Sequence, residues 1–334
     1  MKQHFGRKLF LKLKGAFAAA LAALKARFAA LRLQPNNAVS NLVENNFIAR
    51  SFMHIAGSLK YHVFTPSNYS AGMPLLVMLH GCKQDGETFA TGTRMNQLAE
   101  QHGFVVLYPT QSRMANVNQC WNWYQSINQH RNMGEPAVIA DMTREIVATY
   151  SINPAKVFIA GLSAGGAMAY IVGSQYPELY AGIGVHSGLL YRGINNMFTA
   201  LAAMKTGTEQ IGKIEELQEQ FLEYANGQDA VAHGAQPLIV FHGDNDLVVD
   251  AQNAVDLMAY HHQENRFEER RDQESSKPYG YTRTSYQNEQ GASLAEQWII
   301  HGAGHAWSGG NEEGSFADAN GPDASAEMVR FFMH

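Results

Sequence analysis

The ten residues from Val157 to Gly166, V-F-I-A-G-L-S-A-G-G, restrict this chain more than any other stretch. Val157, Phe158, Ile159 and Ala160 form an apolar run of strand length. The small and helix-forming residues from Ala164 to Ser174 predict a helix. Between them, Gly161-Leu162-Ser163-Ala164-Gly165 matches G-x-S-x-G. A serine at a strand-to-helix turn needs a sharp bend, and flanking glycines keep side chains out of the neighbouring backbone. The turn lifts the hydroxyl above the sheet. It also leaves the Ala164 N–H unpaired at a helix N-terminus, where negative charge is favoured. Ser163 is therefore the candidate nucleophile, and the backbone N–H of Ala164 a candidate oxyanion donor. In a chain with 30 glycines the string alone says little, and the strand before and helix after it give it meaning.

The same alternation runs through the chain. Leu75 to Leu79 reads as a strand buried on both faces. Thr88 to His102 has the spacing of one helix, and Phe104 to Tyr108 is a strand stopped by Pro109. Pro136 opens a helix to about Tyr150, Gly182 to His186 and Pro237 to His242 are further strands, and Ala251 to Asn265 is helical. This order predicts an α/β fold, with a mostly parallel central sheet and helices on both faces. Phe52 to Phe64 predicts an antiparallel hairpin at one edge, and 279–286 with 295–300 a second. Residues 36–49 read as an irregular lead-in, and the charged segment Glu264 to Lys277 as a solvated surface. Asn195 to Asn226 reads as mostly helical, an insertion over the site. Asp323 is placed to cap a closing helix from Ala324. There are no repeats, so residues 36–334 are expected to form one catalytic domain.

A serine nucleophile needs a base, and the base an orienting carboxylate. In this architecture the chain order is serine, acid, histidine. Asp246 follows the strand ending at His242, and His305 follows the strand near 295–300, both at carboxyl ends where open α/β sheets gather their sites. Gly304 and Gly309-Gly310 suggest a mobile, exposed setting for His305. His301 is the rival base, but it comes directly off the strand. Asp244 is read as holding the loop through backbone hydrogen bonds, and Asp250 as a helix cap. The second oxyanion donor is expected from the loop after strand 75–79, at the backbone N–H of Cys82. Trp121, Trp123 and Trp307 are candidate walls of an apolar acyl or alcohol subsite. This chemistry calls for no metal and no organic cofactor.

Composition adds limits. Hydrophobic residues make up 46% and charged residues 16%, so the chain folds around a core and carries little charge. Residues 1–32 hold eight lysines and arginines and no acid, although the net charge is −5. The remainder is therefore acidic, which argues against a nucleic-acid surface. Phe10, Leu13, Phe17, Leu21, Leu24, Phe28 and Leu31 recur at helical spacing, which makes residues 1–35 a basic amphipathic arm. Three readings stand: a helix on an anionic membrane or hydrophobic-granule surface through residues 8–32, a helix packed on the catalytic body or on a partner, or a signal peptide. No stretch is long enough to span a membrane.

At these residues the chain resembles the esterase/poly(3-hydroxybutyrate) depolymerase family of α/β-hydrolases, which is similar to feruloyl and acetylxylan esterases. His80-Gly81-Cys82 resembles its oxyanion motif and Cys120-Trp121-Asn122-Trp123 its cysteine–tryptophan motif. His242-Gly243 through Asp246 and Val249 resembles the acid loop, and Gly304 to Gly310 the histidine loop. The resemblance implies a Cys82–Cys120 disulfide that fixes the oxyanion loop, and hence a periplasmic or secreted protein; the alternative is two reduced, buried cysteines in a cytoplasmic, surface-associated protein. It implies a serine esterase acting on poly- or oligo(3-hydroxybutyrate) esters, with feruloyl or acetylxylan esters as the alternative. Secreted depolymerases usually add a linker and a polymer-binding module. None precedes His334 here, which points to soluble oligomers, amorphous polyester or smaller esters.

Overall fold

The computed structural model describes residues 46–207, 236–261, 268–274, 278–287 and 293–333. The basic arm, and the part of the expected helical insertion beyond residue 207, lie outside the described residues.

One ten-stranded sheet organises the chain, in the order β1-β2-β4-β3-β5-β6-β7-β10-β9-β8. β1 (Phe47–His54) and β2 (Gly57–Phe64) form the predicted edge hairpin, with Phe47 opposite Phe64; three residues of the expected lead-in belong to it. The parallel centre runs through β4 (Val105–Thr110), β3 (Leu75–Leu79), β5 (Val157–Leu162), β6 (Gly182–His186), β7 (Leu238–Gly243) and β10 (Ser293–Ile300). Leu75 to Leu79 are all fully buried, as a strand covered on both faces requires. The other edge is antiparallel: β9 (Tyr281–Gln287) pairs with β10, and β8 (Glu268–Glu274) with β9.

Helices α1 (Gly86–Thr93), α2 (Met95–His102), α3 (Gly134–Thr149), α4 (Ala164–Gln175), α5 (Met197–Thr206), α6 (Gln252–His261) and α7 (Ala324–Met333) connect and cover the strands. Every residue of α4 is buried. Its alanines and glycines are therefore a packing requirement, since Gly173 admits no Cβ beside Ile183 (2.5 Å). Asp323 caps α7 by accepting from the Ala326 N–H (3.0 Å).

Two local expectations change. The helix over Thr88–His102 is two helices, broken at Arg94, which has φ 54°. Its guanidinium bonds the Gly309 carbonyl and the Asp323 carboxylate, so a distant contact turns a residue that local spacing places in a helix. Pro109 lies inside β4. β3 accompanies β4 only as far as Leu107, so the missing N–H falls where only β2 runs alongside. Within the charged segment, residues 268–274 form strand β8, and residues 269–274 lie largely at the surface, as a solvated segment should. Backbone pairing needs no apolar side chains, and charge on an edge strand discourages further pairing.

Candidate active site

Six parallel strands end on one side of the sheet, and each contributes a loop. After β5, Ser163 sits at φ 57° and ψ −122°, the bend expected between strand and helix. Close packing forces it: a Cβ on Gly161 would lie 2.3 Å from the Gly165 carbonyl oxygen, and one on Gly165 2.1 Å from that of Leu79. Ser163 is 9% exposed. Its N–H donates to the His186 carbonyl at the end of β6 (2.8 Å).

After β7, the chain turns at Gly243, which meets Ala303 too closely for a side chain. Asp246 follows. Its Oδ1 accepts the Val248 and Val249 N–H groups (2.8 and 2.9 Å), and its Oδ2 takes His305 Nδ1 at 2.6 Å. Burial pushes this carboxyl up. Hydrogen bonds from His242, His305 and Val249, with the charge of His305, outweigh burial and hold it well below the usual carboxylate range. Asp246 is thus an anion fixed behind the imidazole. His305 is less open than its glycines suggest, its side chain being 10% exposed. Gly309 and Gly310 are glycines for contact, against Asp323 (2.5 Å) and the Gly92 carbonyl (2.6 Å).

His186 ties the serine and histidine loops together. Besides holding Ser163 through its carbonyl, it accepts the Ser308 N–H at Nε2 (3.0 Å), so Nδ1 carries the proton and donates to Ser187 Oγ (3.1 Å). Burial lowers its pKa to about 3, helped by the charges of His242 and His305, which keeps Nε2 free to accept. His186 ends β6, a strand with no motif, and sequence reasoning missed it.

After β3, the Gly81 N–H donates to Gln84 Oε1 (2.8 Å), folding the loop back on itself, and the Lys83 N–H donates to the Asn118 carbonyl (2.7 Å), joining it to the loop that carries Cys120. Cys82 and Cys120 are disulfide-bonded, which matches an oxidising, extracytoplasmic setting. No acceptor among the described residues takes the N–H of Cys82 or of Ala164, as an oxyanion site requires. His80 Nε2 accepts the Gln111 N–H (3.0 Å), and burial lowers its pKa to about 4. Gln111 and Asn122 both donate to Glu135 (2.6 and 2.7 Å), an acid that burial shifts upward. This polar network underlies the disulfide loop and carries no sequence signature.

The rival groups are occupied elsewhere. His301 pairs with Asp244 (2.8 Å) and Thr282 (2.9 Å), and Asp244 also accepts the Gly302 N–H (2.6 Å). Asp250 caps α6 through the Gln252 N–H (2.8 Å). The three tryptophans are buried. Trp121 donates to the His80 carbonyl (3.1 Å) and Trp307 to Ser325 Oγ (2.9 Å), while Trp123 is 4% exposed. Trp121 and Trp307 offer a substrate no surface; they support the loops that carry Cys82 and His305.

A hydroxyl at a strained turn, an imidazole backed by a carboxylate, and two free amides can together perform acyl transfer. Known proteins resemble the chain over much of this length. The profile of the family described as Esterase PHB depolymerase matches residues 59–288. Poly(3-hydroxyalkanoate) depolymerase C of Paucimonas lemoignei is 30% identical over 251 residues, 75% of this chain and 58% of that protein. Acetylxylan esterase A of Talaromyces purpureogenus is 36% identical over 135 residues, 40% of this chain and 34% of that protein. The chain thus spans less than two thirds of the length of either relative. Among solved structures, an acetyl xylan esterase from Aspergillus awamori shares the fold, with a TM-score of 0.62, 20% identity, and coverage of 86% of this chain and 99% of that one.

Proposed function

The chain belongs to the esterase/PHB depolymerase family, and from that premise we propose that it is a serine carboxylic-ester hydrolase working through an acyl-enzyme. His305 Nε2 takes the proton of Ser163 Oγ as the oxygen attacks the ester carbonyl. The oxyanion faces the N–H groups of Cys82 and Ala164. The bond to the alcohol oxygen breaks, and His305 passes its proton to that oxygen. Water then repeats the steps and releases the acid. The observation that carries this reading is the 2.6 Å bond from His305 to a buried, ionised Asp246 on the strand ends that also hold Ser163. A fluorophosphonate probe tests it: the reading requires an adduct on Ser163 and fails if none forms.

For the substrate, the reading favoured here is an ester attached to a carbohydrate, acetyl or feruloyl. Its support is the 36% identity with the fungal acetylxylan esterase. The second reading is a hydroxyalkanoate ester. It draws on the longer match to the depolymerase, and on exposed Leu247 and Val248 beside Asp246 with exposed Met114 and Val117 on the disulfide-bonded loop. Those side chains suit an apolar chain lying across the site. A panel of acetylated xylan, feruloyl ester and 3-hydroxybutyrate oligomers decides between them by kcat/KM. A tenfold preference for the oligomers would reject the carbohydrate reading.

A further inference from the structure

His242, the next-to-last residue of β7, is fully buried, and apart from helping to keep Asp246 ionised it takes no part in the steps above. Its Nε2 lies 2.8 Å from the Val249 carbonyl and 3.5 Å from Asp246 Oδ2, the same oxygen that receives His305. A carbonyl only accepts, so Nε2 carries the proton. That leaves Nδ1 bare, and it has no hydrogen-bond partner among the described residues. A buried polar atom left unpaired destabilises a fold. An apolar ring of similar size would avoid that cost, because the neighbouring core is aromatic, with Phe241 packed between His186 and Trp298. The histidine is explained if its other nitrogen performs a task.

We propose that His242 is a positioning residue for Asp246: its Nε2–H, anchored on the Val249 carbonyl, supports the Oδ2 oxygen and aims it at His305. The inference rests on the esterase reading. Val249 belongs to both halves of the clamp, its N–H on Oδ1 and its carbonyl on His242. The carboxylate is thereby held from both ends. The titratable groups facing His242 are Asp246 on the following loop, His186 at the end of β6 and His305 after β10. His242 also shares the negative charge that Asp246 presents to His305. Without that share, the carboxylate favours protonated His305 more strongly, and the base is lost at a higher pH.

The experiment compares His242→Phe, which keeps a ring and loses the donor, with His242→Gln, whose amide nitrogen can reach the Nε2 position. With p-nitrophenyl acetate, His242→Phe is expected to lower kcat about tenfold with little change in KM and to move the acid limb of kcat/KM upward. His242→Gln is expected to restore most of both. A pH profile for His242→Phe that superposes on the parent, with an equal loss in both variants, overturns the proposal. Nitrogen NMR of histidine-labelled parent protein gives a readout that needs no variant. It must show the Nε2–H tautomer at His242, and a proton on Nδ1 alone would also overturn the proposal. A parent that hydrolyses no ester and takes no phosphonate on Ser163 sinks both readings. An active parent with an unmoved profile sinks only this one.

Discussion

Each residue of the site carries a different burden, and substitution separates them. Ser163→Ala removes the nucleophile without changing the turn, whose geometry is set by Gly161 and Gly165. Ester hydrolysis should fall by about 10⁴-fold or more while circular dichroism stays native. Asp246→Asn keeps the shape and the Val248 and Val249 contacts but removes the charge behind His305. A loss of about 10⁴-fold in kcat is expected, the size seen when the imidazole takes the wrong tautomer. Gly165→Ala is a test of packing. Its Cβ would meet the Leu79 and His80 carbonyls at 2.1 and 2.5 Å, and backbone cannot swing aside as a flexible side chain can. The expected cost is about 3 kcal/mol or more, read as a lowered denaturant midpoint.

At the scale of elements, the loop after β3 is the part most exposed to perturbation. It carries the Cys82 amide, and the disulfide ties it to a partner 38 residues away. In the chain-entropy picture such a closure stabilises by about 4 kcal/mol. Removing it through a Cys82→Ala, Cys120→Ala double substitution should lower stability by about 2–4 kcal/mol. It should also lower kcat by about tenfold, because a loosened amide meets the oxyanion less well. Stability lost with kcat intact would mean that the Glu135, Gln111 and Asn122 network alone holds the loop. The α1–α2 break and strand β8 belong to the same scale. The helical spacing of Phe89, Met95 and Leu98 runs on through Arg94, so no local signal marks the break. Only contacts with Gly309 and Asp323 do.

For the whole molecule, buried histidines set the response to acid. His80 and His186 are held neutral, with values of about 4 and about 3 against an ordinary 6.5. Above pH 6.5 both are neutral folded and unfolded, and their contribution is fully present. Below it the unfolded chain takes up protons that the folded chain refuses. Stability therefore falls as pH drops from 6.5 toward 4, at on the order of 1 kcal/mol per pH unit for each histidine. Asp246, depressed in the fold, adds a further loss below its ordinary range near 4. Glu135 is shifted upward and opposes the trend in mild acid. Denaturant titrations at pH 7, 6, 5 and 4 would check this, and a flat profile would contradict it.

Sequence alone determined the parallel strands, the turn at Ser163, and the chain order in which an acid and a histidine follow it. Those features are written locally, in apolar runs, glycines and strand-end loops. Only the tertiary structure decided that Trp121 and Trp307 face inward, that Arg94 splits a helix, and that His186 and His242 stand behind the reacting groups. These depend on which distant segments meet. A histidine at the end of an apolar run reads the same whether its imidazole faces solvent, a core or a carboxylate, and the neighbouring strand makes the difference.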